Sequence, residues 1–320
     1  MLTPLAYVPA LWHGFEAGKG WYLQIVVGLA FPAWVALAWR RPEYRPTWTL
    51  VSLGVAANLT AIALSLPAAY DWHLGFWGST DKMNGLVTHL HLAAWFLMAV
   101  SLFRTQESWR RVLQVVIACS VVSAAVAIGQ LWVPDILGSA ADIRLTGLAG
   151  NPGLLGNPVF LGAYHVHAIF LLAFAWARAG ASERAGNAWW WAAGLGLSVA
   201  AIVVAGSRGS LLALAVGLAS AALAFSYFSG RRRLVAGIGG LLAAAGGSYL
   251  TAVKLAVPAP GLAAFWLRHP ALRHLFEFSD DSGRLDTLRM TLPGIRARPL
   301  LGWGQGNYEN LFDHHYAPME

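Results

Sequence analysis

The stretch WWWAAGLGLSVAAIVVAGSRGSLLALAVGLASAALAF (189–225) decides the fold, because Arg208 is its single charged residue and lies between two long apolar runs. A helix that crosses a membrane needs about 20 predominantly apolar residues, and each run is close to that length. Only residues 206–209 separate the two runs. We therefore interpret this stretch as two membrane spans joined by a short turn.

The same apolar character extends over most of the 320 residues. Hydrophobic residues make up 57% of the chain and charged residues 12%, whereas soluble domains carry about 25% charged residues. This composition excludes a soluble globular enzyme and a disordered chain, and it predicts an all-α, polytopic transmembrane helical bundle of about eight or nine spans. Spans are expected near 21–39, 47–67, 86–103, 111–132, 158–177, 188–205, 210–228 and 234–256, with 2–13 as a further, shortened helix.

Residues 257–320 differ from the rest, because prolines and charged residues replace the apolar runs. We therefore expect a transmembrane helical domain over 1–256 and an extramembrane loop segment over 257–320. Basic residues concentrate in alternate connections between the spans, and such connections face the cytoplasm. They are Arg40, Arg41, Arg45, Arg104, Arg110, Arg111, Arg178, Arg184, Arg231, Arg232 and Arg233. This orientation predicts that 257–320 lies on the outer side, which is the periplasm in a Gram-negative cell.

Each predicted outer connection nevertheless keeps one cation: Lys82, Arg144 and Arg208, with Arg284 at the start of the polar segment. Arg208 is the most informative, because its short turn holds the guanidinium at the membrane surface. Ser210 is expected to cap the following helix, so that helical N–H groups and the guanidinium form a phosphate-binding site. The alternative is that these cations are interfacial anchors that extend to the aqueous surface.

Two further segments carry candidate ligand-binding residues. Asn157 precedes Pro158 and is either a helix cap or a binding residue, and Tyr164 follows within the same helix. Three glycines in LGWGQGNY (301–308) exclude a helix interior and predict a tight loop that displays Trp303, Asn307 and Tyr308. Aromatic and amide side chains in such a loop suit sugar recognition, and anchoring at the membrane interface is the alternative.

Several classes of chemistry are disfavoured by the sequence. It contains neither a phosphate-binding GxxxxGK[ST] motif nor a GxSxG nucleophile motif, and Cys119 is its single cysteine. His165 and His167 face different sides of a helix, as do His89 and His91, so neither pair forms a good metal site. We expect no cofactor, no metal and no nucleic-acid partner.

Four blocks of the chain resemble the O-antigen ligase and O-antigen polymerase family of bacterial membrane glycosyltransferases. They are WGSTDKMNGLVTHLHLAAWF (77–96), RLTGLAGNPGLLGNPVFLGAY (144–164), AGSRGSLLAL (205–214) and SGRLDTLRMTLPGIRARPLLGWGQGNY (282–308). The blocks occur in the order found in the family and are spread over most of the chain.

The resemblance implies a multi-pass protein of the bacterial inner membrane with a large periplasmic loop and a periplasmic active face. Such enzymes transfer a glycan from a polyprenyl-diphosphate carrier to lipid A-core or to another glycan or protein, without metal. Loop arginines of the family contact the diphosphate, which implies catalytic roles for Arg208 and Arg284. Binding of the diphosphate or glycan is then expected of Arg144, Lys82, Asn157, Tyr164, Trp303, Asn307 and Tyr308.

The chain departs from the family at two places. Lys82 stands where many relatives have arginine, and Glu320 precedes any histidine motif that activates the acceptor. His314 and His315 come too early for that role, so we expect a C-terminally truncated sequence that lacks part of its active site. Within the family, a polymerase and a protein O-oligosaccharyltransferase remain alternatives to a ligase. A transporter or flippase for a lipid-linked glycan is the alternative of another class.

Overall fold

A computed structural model describes residues 2–9, 11, 14–133, 152–180, 184, 186, 188–230, 237, 240, 247 and 282–315. The regular structure in these residues is helical, without strands. The helices are α1 (Glu16–Arg40), α2 (Leu50–Ser65), α3 (Trp72–Trp77), α4 (Leu86–Leu102), α5 (Gln106–Gly129), α6 (Pro158–Arg178), α7 (Ala188–Ala205), α8 (Arg208–Ser229), α9 (Ser282–Ala297) and α10 (Tyr308–His315).

Six segments among the described residues are long and apolar enough to cross a membrane: α1, Leu50–Ala68, α5, α6, α7 and α8. The apolar helix α4 is shorter, with 17 residues. The chain is therefore a multi-pass membrane protein, and seven of the predicted spans coincide with these helices. The predicted span 234–256 lies almost wholly outside the described residues, so the total of eight or nine stays a prediction.

The prediction of a shortened helix over 2–13 is wrong for the residues described there. Only a 3₁₀ turn, Thr3–Leu5, forms. The chain then folds back on itself, because the Val8 N–H donates to the Gly14 carbonyl at 3.1 Å. Pro9 lacks an N–H group and cannot contribute a helical hydrogen bond from its own nitrogen.

Short polar residues fix where the described helices begin. Thr49 and Ser52 form a reciprocal capping box at α2. Asp71 caps α3 by accepting hydrogen bonds from the His73 and Leu74 N–H groups. These caps satisfy N–H groups that a membrane environment would otherwise leave without partners.

The chain divides into two compact units. The 6–111 unit comprises Ala6–Arg111 and Ser279–Glu320, and the 112–278 unit comprises Val112–Phe278 and Met1–Leu5. The sequence places a boundary at 256/257 on the basis of membrane exposure alone, and that division stays a prediction. The described part of the polar segment belongs to the same unit as the first four helices.

The 6–111 unit has a core between α1 and α4, where Val27, Trp34 and Ala38 pack against Met98. At one end of these helices, Arg104 donates a hydrogen bond to the Arg45 carbonyl at 3.3 Å, and Arg45 donates to the Ala38 carbonyl at 3.1 Å. Two of the Arg-rich connections therefore lie at the same end of this unit, and the assignment of that end to the cytoplasm stays a prediction.

The 112–278 unit is built on close contact between small and branched side chains. Ala127 of α5, Leu161 of α6 and Ala205 of α7 form one fully buried layer. A second group joins Val166 and Ile169 to Ile202. Because Leu161 is near the start of α6 while Ala127 and Ala205 are near the ends of their helices, α6 runs antiparallel to both α5 and α7.

Candidate functional site

The turn that contains Arg208 is well ordered by its neighbours. Gly206 adopts a positive φ of 66°, which lets the chain reverse between α7 and α8. The Ser207 hydroxyl accepts hydrogen bonds from the Ser210 N–H at 3.4 Å and from the Ser210 hydroxyl at 3.0 Å. Arg208 is the first residue of α8 and is half-buried. The prediction that Ser210 caps this helix is therefore wrong: Ser207 is the cap, and α8 begins two residues earlier than predicted.

The beginning of α6 lies beside this turn. Asn157 caps α6 by accepting the Val159 N–H at 2.8 Å, and Pro158 occupies the first helical position. Gly162 packs against Ser210 so closely that a Cβ at position 162 would collide with it, and the same Cβ would be 3.4 Å from the Ser207 Cβ. Two helix N-termini thus adjoin at one end of the unit. Both contribute positive potential there, alongside the guanidinium of Arg208.

The other candidate residues of the 112–278 unit differ in what the structure shows of their side chains. The Asn157 side-chain oxygen is used as a cap, which favours the structural alternative for that residue. Tyr164 lies one and a half turns into α6, and its hydroxyl is buried without a hydrogen-bond partner among the described residues. Arg144 lies outside the described residues. The expected binding roles of Arg144, Asn157 and Tyr164 stay predictions.

Arg284 belongs to the 6–111 unit, where it falls in the first turn of α9. The structure describes the backbone of residues 282–286 but not their side chains. The shared action of Arg284 and Arg208 on one diphosphate therefore stays a prediction.

The predicted loop 301–308 does form, and its three glycines have positive φ angles between 64° and 89°. The side chains of Trp303 and Asn307, however, point inward. Asn307 is fully buried, and its side-chain oxygen accepts the Asp71 N–H while its amide nitrogen donates to the Asp71 carbonyl, both at 2.9 Å. The same amide nitrogen donates to the Gln305 carbonyl at 3.1 Å, and the side-chain oxygen also accepts from Asn310 at 3.0 Å. The hydrogen-bonding capacity of Asn307 is used within the protein.

Trp303 is also buried, with 8% of its surface exposed. Its indole N–H donates to the Gly294 carbonyl at 3.0 Å, and the guanidinium carbon of Arg298 lies 4.5 Å from the ring centroid. The rings of His314 and His315 contact it edge-on. The prediction that this loop displays Trp303 and Asn307 is therefore wrong, because both are anchors that fix the loop to its surroundings.

Tyr308 and Lys82 remain accessible. Tyr308 is 49% exposed, and its hydroxyl is 3.0 Å from the Thr291 hydroxyl. The Lys82 ammonium donates to the Glu309 carboxylate at 3.0 Å and lies 3.8 Å from the Asp81 carboxylate. The hydrogen bond to Glu309 raises the pKa of Lys82. Partial burial opposes ionisation of Asp81, but the hydrogen bond from Ser79, backbone N–H groups and the charge of Lys82 together lower its pKa.

Sequence reasoning missed the partners of these residues. Asp71, Arg298 and Glu309 connect the 66–85 region to the 282–315 segment in the 6–111 unit, together with a hydrogen bond from the Tyr70 N–H to the Trp303 carbonyl. Asp71 could have been recognised as a helix cap from its sequence context, since Asp is a preferred N-cap residue. No local signal marks Glu309 or Arg298, whose partners are more than 200 residues away in the chain.

An open cleft of about 650 Å³ lies between residues 67–70 and 298–302 of this unit. Arg298 crosses it to donate to the Ala68 carbonyl at 3.0 Å. Leu300 at its rim is 94% exposed. Within the described ranges, no three His, Cys, Asp or Glu side chains are grouped so that they could hold a metal ion.

Comparison of the chain with family models, with curated proteins and with solved structures gives no match. The function of the chain is therefore inferred from its own residues and from its four motif blocks.

Proposed function

We propose that the chain is a membrane glycosyltransferase similar to O-antigen ligases. It would transfer a glycan from a polyprenyl-diphosphate carrier to an acceptor such as lipid A-core at the periplasmic face of the bacterial inner membrane. The observation that carries the proposal is the placement of Arg208 at the start of α8, beside the capped start of α6. This combination of a guanidinium and two helix N-termini favours a phosphate-bearing ligand.

The distribution of charge supports an anion site at this end. Helices α6, α7 and α8 together contain only two charged residues, Arg208 at the beginning of α8 and Arg178 at the end of α6. A flippase for a lipid-linked anion is expected to place cations along a path through the bilayer. The absence of charged residues from the interior of these three helices therefore favours a surface reaction over transport.

The chemistry of the proposed reaction requires charge stabilisation more than a cofactor. The acceptor hydroxyl attacks the anomeric carbon of the carrier-linked sugar, and the bond from that carbon to the diphosphate oxygen breaks. The bonding electrons leave with the diphosphate, while a general base takes the hydroxyl proton. A fixed guanidinium stabilises the charge that develops on the leaving group. In this proposal Arg208 has that role, and the catalytic role that the resemblance implies for Arg284 stays a prediction.

Activity of the purified full-length protein, with all of its native sequence, tests the proposal. The protein in lipid nanodiscs is incubated with a polyprenyl-diphosphate-linked glycan and an acceptor, and the product is followed by mass spectrometry. We expect Arg208→Ala to lower the rate by roughly 10²–10³-fold, the usual loss when one charge-stabilising donor is removed. Arg208→Lys should retain part of the activity, because it keeps the charge but not the bidentate geometry.

Arg178→Ala is the matched control, because it removes an arginine from the opposite end of α6. We expect it to keep full activity. Equal melting temperatures of the variants exclude a folding defect as the cause of lost transfer. Full activity of Arg208→Ala would overturn the role of Arg208. Absence of transfer by the unmodified protein with lipid A-core, repeat-unit and protein acceptors would overturn the proposed function, and the acceptor that is used distinguishes ligase, polymerase and protein O-oligosaccharyltransferase.

A further inference from the structure

His165 differs from the other helical histidines that the structure describes. Four of them direct Nδ1 at the backbone carbonyl one turn earlier, at distances of 2.7 to 3.0 Å, and these are His89, His91, His167 and His315. His165 is fully buried, and neither of its ring nitrogens has a hydrogen-bond partner among the described residues. Its imidazole is therefore oriented away from its own helix and into the protein.

Two serines of the same unit, Ser123 and Ser198, likewise lack the hydrogen-bond partner that a buried helical serine usually has. Ser101 and Ser120 show the usual arrangement for comparison, because each hydroxyl donates to a carbonyl of its own helix, at 2.6 and 2.8 Å. Ser123 of α5 and Ser198 of α7 are 0% and 1% exposed, and neither hydroxyl has a partner in the described part of the chain. Unpaired buried hydroxyls and imidazoles are unfavourable, so most buried polar groups have a partner.

Helix register brings these three side chains to neighbouring levels. Ala127, Leu161 and Ala205 form the layer described above. One turn further from the Arg208 end, α5 presents Ser123 and α6 presents His165, because residues four apart lie on the same face of a helix. Ser198 lies two turns before Ala205 in α7, on the same face of that helix and also further from the Arg208 end. This register favours a common interior for the three polar groups, between α5, α6 and α7.

The occupant of this interior must be small and able both to donate and to accept hydrogen bonds. A lipid chain cannot satisfy an imidazole, and the buried layer of Ala127, Leu161 and Ala205 closes the end nearest Arg208. One histidine with two serines is not a metal-ligand set. Water, in contrast, typically bridges two to four buried polar groups. We propose that the 112–278 unit binds ordered water between α5, α6 and α7, held by His165, Ser123 and Ser198. This proposal is independent of glycan transfer.

Magic-angle-spinning NMR of the intact protein in lipid bilayers tests the proposal directly. The dipeptide Tyr164-His165 is the single Tyr-His pair in the chain, and Val166-His167 is the single Val-His pair. Labelling with ¹³C-carbonyl tyrosine and ¹⁵N histidine therefore selects His165, and ¹³C-carbonyl valine with ¹⁵N histidine selects His167. Both assignments are obtained without a mutation.

His167 is the matched control, because it is exposed on the surface of the same helix and is bonded to the Ala163 carbonyl at 2.7 Å. We expect transfer of magnetisation from water to the His165 imidazole at short mixing times and none to the His167 imidazole. The double variant Ser123→Ala, Ser198→Ala should weaken the water signal of His165 and leave its backbone shifts unchanged. No water signal on His165, or an undiminished signal in a folded double variant, would overturn the proposed site.

Discussion

Replacement of Asn307 by alanine is the most direct test of how the 282–315 segment is attached within the 6–111 unit. The fully buried side chain exchanges two hydrogen bonds of 2.9 Å with the backbone of Asp71. It also contacts the Gln305 carbonyl and the Asn310 amide. Alanine removes all four hydrogen bonds, so that the Asp71 N–H loses its partner and the Asp71 C=O keeps only the Gly75 N–H.

The magnitude follows from the environment of those groups. Leaving a buried polar group unpaired costs about 1–3 kcal/mol. Asp71 is half-buried, so water can partly replace the lost partners and the lower part of that range applies to each group. We therefore expect a loss of about 2 kcal/mol in the local stability of this attachment, or roughly a 30-fold increase in local opening.

Hydrogen–deuterium exchange of the peptide that covers residues 66–77 measures this opening. The Tyr70 N–H donates to the Trp303 carbonyl and the Asp71 N–H donates to Asn307, so both amides should lose protection together. Asn307→Asp should be at least as damaging as alanine, although it is isosteric. Its carboxylate can accept the Asp71 N–H but faces the Asp71 and Gln305 carbonyl oxygens without a donor.

Tyr308→Phe is the matched control, because it removes one exposed hydrogen bond from the neighbouring residue. Its effect on exchange in the 66–77 peptide should be small. If Asn307→Ala changes that exchange no more than Tyr308→Phe does, the Asn307 hydrogen bonds do not hold the segment in place and the reasoning is refuted.

Three other outcomes are expected. Gly162→Ala should lower the melting temperature, because its Cβ would collide with Ser210. The loss of stability should be about 1–3 kcal/mol, and adding Ser210→Gly should restore part of it. An unchanged melting temperature would contradict the close approach of α6 and α8. The exposed Lys82–Glu309 pair should contribute less than about 1 kcal/mol to the free energy of unfolding. Since the pKa of Lys82 is raised, this stabilisation is present below the ordinary lysine pKa and is lost as pH rises through the raised value. A curve of stability against pH that Lys82→Met leaves unchanged would refute the contribution of the pair. A fluorophore on cysteine at Leu300, which is 94% exposed beside the end of the Leu50–Ala68 span, should be quenched by lipid-attached quenchers in a Cys119→Ala background, and quenching only by aqueous reagents would show that this loop avoids the bilayer.

The membrane helices could be predicted from the sequence because their signal is local. An apolar run of about 20 residues specifies a span whatever its neighbours are. The Asn157-Pro158 pair likewise specifies the start of α6, since cap and first-turn preferences act within a few residues. At α8 the sequence predicts Ser210 as the cap, whereas the turn at Gly206 starts the helix at Arg208 and makes Ser207 the cap.

The inward orientation of the Trp303 and Asn307 side chains in the 301–308 loop could not be predicted in the same way. Its glycines specify a turn, and the turn is present, but the side on which Trp303 and Asn307 lie depends on Gly294 and Asp71. Such pairings leave no periodic pattern in a single sequence. For the same reason, the sequence identifies Lys82 as an unusual cation but not Glu309 as its partner.

The separation of 236 residues between Asp71 and Asn307 has a consequence for biogenesis. A ribosome that adds about 5–20 residues per second needs on the order of 10–50 seconds to make the intervening chain. Throughout this delay the loop before α3 has been translated while its final partner does not yet exist. Early helices can enter the bilayer one by one, but the Asp71 backbone reaches its native hydrogen bonds only after α9 and Asn307 have been synthesised.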